Sequence, residues 1–482
     1  MALWLSVATP LLLCHCTRKS ETTRATEGPA TSSSAIAFSV AGRAALGCKD
    51  DRGTTFSFGP IESASREDVD SDADAGVEVP EDLPFGVTIG AAHADAERFV
   101  VSAIDARSDG SHSVLVVLDP EVSRGHVIDL GRVYGDAEPP QAVFSGDDAF
   151  VVVPDSDAGG NMYRYGWVRS LGNGGRAEWS GSFEIHPDDS AVVALAIADG
   201  RIVVAWDEVD RKTRVSQVRW MTLVGVDAPK LVSRPKQDAG KANNKANQRF
   251  QSTAIDIDAE MPRLVAQHSG FWLAYLASDA QSRPSIAKPL SNNKSNPDES
   301  LRPVDLGHRG IVLIALDAHG TPKSQPIRVT EPTAHVLTFE VEALPDGGAI
   351  IAYRDSDVAP GTEERIIELV RVRPDGGIER RRIDDERVGV GAPLLLVDEH
   401  ASAEVSATTG VWLAVAGSAG ETRIADLSNL GAPVVGLVDA KDLASVEPLA
   451  RYGEAVLVAR RRARSVEFER LNCRLATPSG AK

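Results

Sequence analysis

Along most of the chain, short apolar bursts alternate with polar turns, and few windows sustain the three-and-four spacing of an amphipathic helix. One burst recurs seven times: RFVVSA from Arg98, AFVVVP from Ala149, RIVVAW from Arg201, FWLAYL from Phe271, AIIAYR from Ala349, VWLAVA from Val411 and AVLVAR from Ala455. With Val100, Val151, Val203, Leu273, Ile351, Leu413 and Leu457 as markers, the spacing runs from roughly 44 to roughly 78 residues, from the period of a propeller blade upwards. A turn rich in Gly, Asp or Asn precedes most copies and follows another apolar strand, as in VEALPDGGAIIAY, which is hairpin chemistry. A third strand follows most copies (HSVLVVLD, RYGWVRSL, SQVRWMTL, GIVLIALD, IIELVRVR, SVEFERLN), and a fourth segment such as IERRRIDD follows a second turn. Four short antiparallel strands per unit predict an all-β propeller of about seven four-stranded blades, because an isolated unit would leave two apolar faces in water.

The last unit lacks a fourth strand, since RLATPSGAK ends the sequence soon after SVEFERLNC. AIAFSVAGRAALGC and TTFSFG precede the first full unit and are the candidates to complete that last blade. The predicted division is a signal segment at 1–16, a Ser/Thr-rich tether at 17–35, completing strands at 36–60, an acidic linker at 61–84, the propeller at 85–475 and a tail at 476–482. Cys48 and Cys473 then fall on the same seam, where a disulfide would staple it in an oxidising compartment; two unconnected buried thiols are the alternative. Two polar excursions, from Lys236 and from Ser282, break the period and read as surface loops at the fourth blade.

Composition sharpens this picture. The apolar fraction is 43% and the aromatic fraction only 5%, so cores must rest on Val, Ile, Leu and Ala. A formal net charge of −18 argues against a nucleic-acid partner, which needs a concentrated positive field. The Arg runs Arg380 to Arg382 and Arg460 to Arg464 read as solvated strand edges. MALWLSVATPLLLCHC has the short apolar core of a secretory segment, too short for a bilayer span, so the mature chain is expected to have no transmembrane helix and to lie outside the cytoplasm. Cys14 and Cys16 are lipidation candidates, although Leu13 and His15 stand where a lipobox wants a small residue.

No nucleophile elbow, phosphate loop or zinc helix occurs, the histidines are scattered, and no catalytic residue is assigned. Carboxylates recur after the second strand of the unit. Asp155, Asp207 and Asp355 coincide when the copies are aligned, as do Asp157, Asp279 and Asp357, with Asp210 one residue late. On one face of a ring these carboxylates would form an acidic circle able to hold Ca²⁺ or to meet a cationic partner. Against this, Asp in tight turns hydrogen-bonds its own backbone, and no loop has the spacing of a self-contained calcium site. A second segment places Asp70, Asp72, Asp74 and Glu81 at the ligand spacing of an EF-hand loop, but Ala75 stands where Gly is required and Pro80 interrupts it, which favours an acidic linker. Trp206, Trp220, Trp272 and Trp412 occupy apolar strand positions and read as core.

From about Phe85 to Cys473 the repeats resemble the secreted or lipid-anchored β-propeller repeat proteins of bacteria. That resemblance is architectural and transfers no active residue; it implies a binding or scaffold module for a protein or glycan at the cell envelope, with no cofactor beyond a possible Ca²⁺. The alternatives are a carbohydrate-active hydrolase or lyase using carboxylates such as Asp157, Asp210 or Asp357, and a calcium-stabilised structural propeller.

Overall fold

The protein is described from a computed structural model, in which the placed residues are the strands between Leu46 and Leu475 and most of their turns. Residues 1–45, 60–85, 224–249, 280–307, 399–409, 476–482 and several shorter connections lie outside the described residues. The strands form seven four-stranded antiparallel sheets, and among the described residues there is no α-helix. Sheets one to six each take four consecutive strands, spanning Val87–Val133, Gln141–Glu184, Val193–Ser252, Ile257–Arg328, Val336–Asp384 and Leu394–Ala440. All seven recurring bursts are second strands, and their apolar residues point alternately to the two neighbouring sheets. In Phe99–Arg107, for instance, Phe99, Val101 and Ala103 pack towards the seventh sheet and Val100 towards the second. A strand buried on both faces reads as a continuous apolar run, which is why these bursts stood out.

The core is divided into seven clusters, each shared by two consecutive sheets, and one of them joins the seventh sheet to the first. That closed cycle of contacts is the β-propeller. It closes as expected through the N-terminal strand: Leu46–Phe58 pairs antiparallel with Val466–Leu475 and becomes the fourth strand of the last sheet. One bent strand does this work, with a register break between Asp50 and Thr55. Cys48 lies opposite Cys473 in that pairing, and Cys473 is buried and disulfide-bonded.

Neighbouring sheets are latched at the rim where the inner strands end. Trp220 Nε1 donates to the Gly320 carbonyl at 2.9 Å and Trp272 Nε1 to that of Gly347 at 3.2 Å. Arg451 reaches the Gly410 carbonyl at 2.8 Å, and Arg470 that of Pro120 at 2.9 Å. Each such bond contributes about 1 kcal/mol net and fixes the register of one sheet on the next. Gly320 sits at φ 75°, in the left-handed region that favours glycine.

Candidate functional site

The opposite rim, where the inner strands begin, holds the carboxylates singled out from the sequence. Asp155 and Asp355 end their second strands and Asp207 stands two residues before the end of its own, so the three occupy equivalent places in the second, third and fifth sheets. Asp207 Oδ1 accepts the Val192 amide at 2.8 Å, just ahead of the inner strand Val193–Ala198 of its own sheet. Its Oδ2 accepts the Met261 amide at 2.9 Å, in the inner strand Ile257–Gln267 of the fourth sheet. Asp355 likewise accepts the His335 amide at 3.0 Å, ahead of the inner strand Val336–Ala343. These side chains therefore cap strands, the role that Asp plays in turns. Asp279 ends its second strand, whereas Asp157, Asp210 and Asp357 lie outside the described residues, as do Asp70, Asp72, Asp74, Glu81, Cys14 and Cys16.

Around Asp207 the structure gathers groups that the sequence did not single out. The enclosure of its carboxylate, against the help of the two amides and together with the nearby charges of Glu260 and Glu138, pushes its pKa up to about 7. Enclosure also raises the Tyr163 phenol far above its usual range, with Glu138 and Asp207 adding to the effect. Glu138, Pro139, Gln141, Val152, Pro154, Tyr163 and Val193 line a narrow cleft with room for about one water molecule. Glu260 is paired with Arg309. Met261, the donor of the second bond, has φ 54° within a register break between Glu260 and Arg263. A left-handed methionine costs on the order of 1–3 kcal/mol and persists only where its surroundings hold it. Here the Asp207 carboxylate is one of those holds.

Aromatic residues are scarce in the chain yet concentrate beside this cleft. Phe150, Tyr163, Tyr165, Trp167, Phe183 and Trp206 pack between the second and third sheets, with Tyr163 stacked on Phe183 at 5.7 Å and Phe183 tilted against Trp206 at 5.1 Å. Trp206, Trp220, Trp272 and Trp412 are all buried, as core residues should be, and three of them donate their indole N–H, Trp206 to Glu208 at 3.2 Å and the other two to turn carbonyls. The outer-edge run Arg380 to Arg382 meets acids: Arg380 lies 3.4 Å from Glu331 and Arg382 lies 2.6 Å from Glu368. Among the described residues no group of three His, Cys, Asp or Glu side chains is placed to hold a metal ion, and no helix is long and apolar enough to cross a membrane.

What the sequence reading missed are Glu138, Glu260 and Tyr163, which come from a connection, an inner strand and a third strand of different sheets. One signal was present: Pro262 within a strand-like run marks a bulge, and the bulge is what turns the Met261 amide towards Asp207.

No protein-family profile and no curated protein matches the chain. Solved structures match at low identity. The β-propeller domain of the Trilobed protease from Pyrococcus furiosus, described as having an open velcro topology, is 8% identical, with a TM-score of 0.42 over 83% of this chain and 99% of that one. The polysaccharide lyase Uly1 is 9% identical, with a TM-score of 0.44 over 81% and 90%. The Aleuria aurantia lectin AAL is 10% identical, with a TM-score of 0.34 over 62% and 78%. The fold assignment rests on this chain's own strand pairing.

Proposed function

We propose that the chain is an extracytoplasmic, non-catalytic binding or scaffold propeller that meets a protein or glycan of the cell envelope on the rim where the inner strands begin. The observation that carries this reading is the use of its repeated carboxylates. Both oxygens of Asp207 accept backbone amides, and Asp355 caps its own sheet, so these groups hold the rim in shape instead of presenting themselves to a substrate. The adjoining cleft is far below the few hundred Å³ that a sugar ring or cofactor needs. The apolar segment at 1–16 and the disulfide-bonded Cys473 support an oxidising compartment. Incubation with an array of envelope glycans and peptidoglycan fragments, run beside a hydrolase and lyase panel, is expected to give binding without turnover. Cleavage of any polysaccharide in the panel would refute it.

A carbohydrate-active hydrolase or lyase is the second reading, favoured by one observation: Asp207, with a pKa near neutrality and two carboxylates nearby, has the proton affinity of a general acid. Loss of all turnover in Asp207→Asn, with folding intact, would be its signature. Calcium stabilisation is the third and rests on the acidic segments of the sequence.

A further inference from the structure

The bond from Asp207 to Met261 joins two sheets, and the bond to Val192 joins Asp207 to its own. We propose that Asp207 is a proton-operated clamp across the seam between the third and fourth sheets: as a carboxylate it holds the Val192 and Met261 amides together, and uptake of one proton releases the Met261 arm. The chemistry of the group sets this up. An ionised carboxylate offers two equivalent acceptors, whereas a neutral carboxyl keeps one good acceptor and turns the other oxygen into a donor. The arm that yields is the one under backbone strain, because Met261 leaves a left-handed conformation when it lets go, while Val192 has no positive φ.

The charges facing Asp207 from each side favour proton uptake. The fourth sheet brings Glu260, whose charge is answered by Arg309, and Asp258, whose oxygens are held by the Ser216 amide at 2.9 Å and the Ser278 hydroxyl at 3.3 Å. The connection into the second sheet brings Glu138, and that sheet brings the Tyr163 phenol. In the third sheet itself Glu208 and Arg219 pair at 3.0 Å. The described cations of this neighbourhood are thus engaged with other acids, and Asp207 faces the charges of Glu138 and Glu260, which is consistent with its raised proton affinity. The second tie across the same seam, Asp258 to Ser216, stays in place, so the sheets remain joined while the bulge at the rim moves.

The chain has four methionines, Met1, Met162, Met221 and Met261, which makes selective ¹⁵N-methionine labelling a direct probe. Amide spectra of the full chain between pH 5 and 9 are expected to show the Met261 resonance moving with a midpoint near 7, Met162 and Met221 moving less, and the Met261 titration vanishing in Asp207→Asn. A Met261 amide that stays still over this range, or that moves equally in Asp207→Asn, overturns the clamp. Should Asp207→Asn fail to fold, Glu138→Gln reads the same proposal: removing that charge lowers the midpoint by about half a pH unit or more, and an unmoved midpoint overturns it.

Discussion

Two seams of the ring are built on opposite plans. Between the seventh and first sheets the core is mostly aliphatic, with Val101, Val114, Val116, Leu118 and Leu457 around Phe99 and Phe468, and it is crossed by the Arg470 to Pro120 bond. Between the second and third sheets large rings fill the space, and the Glu138 cleft opens beside them. The ring is thus closed through a mainly aliphatic core, while the carboxylates around Asp207 gather beside an aromatic one.

The largest expected effect lies at the closing seam. Phe468 is fully buried there, so Phe468→Ala should cost on the order of 3–5 kcal/mol in urea unfolding. Phe183→Ala, with 5% exposure beside the cleft, should cost less, because rings at an open edge can relax into the space left behind. Equal losses would erase the contrast between the seams.

Next is the disulfide. Cys473→Ser should lower stability by about 2–4 kcal/mol, and non-reducing peptide mapping of the wild type should recover Cys48 joined to Cys473, as their register pairing implies. Recovery of Cys48 as a free thiol would defeat that expectation.

The pH response comes third, and its sign follows from the direction of the shift. Asp207 has a folded pKa of about 7 against an ordinary value of 3.8, so between these limits the folded state holds a proton that the unfolded state does not. Its contribution to stability is complete below the ordinary value and is lost as pH rises through the folded one. Wild type should therefore lose stability relative to Asp207→Asn between pH 5 and pH 8, by on the order of 2 kcal/mol, as read from paired denaturation curves. A difference that is flat with pH would place the carboxyl at an ordinary proton affinity.

The smallest effect belongs to the latches of the far rim. Trp272→Phe keeps the ring and removes only the donor to Gly347, so it should cost about 1 kcal/mol, visible as a small drop in the urea midpoint.

Much of the architecture was legible because a propeller repeats its pattern and buries both faces of its second strands, which leaves seven apolar bursts in plain view. The closing strand was legible for a related reason: the last unit was one strand short and TTFSFG was left over. The carboxylates were half legible. Asp207 and Asp355 were found by alignment, but their bonds to Val192, Met261 and His335 depend on where neighbouring strands begin, which periodicity does not encode. Glu138, Glu260 and Tyr163 were not legible, since each repeats nowhere and their proximity is produced by ring geometry and by a bulge that re-aims one amide.

The pairing of Leu46 with Leu475 sets the beginning of the closing strand beside the end of the last one, on the rim of the Trp and Arg latches. The closing strand therefore begins on the side of the ring turned away from Asp207.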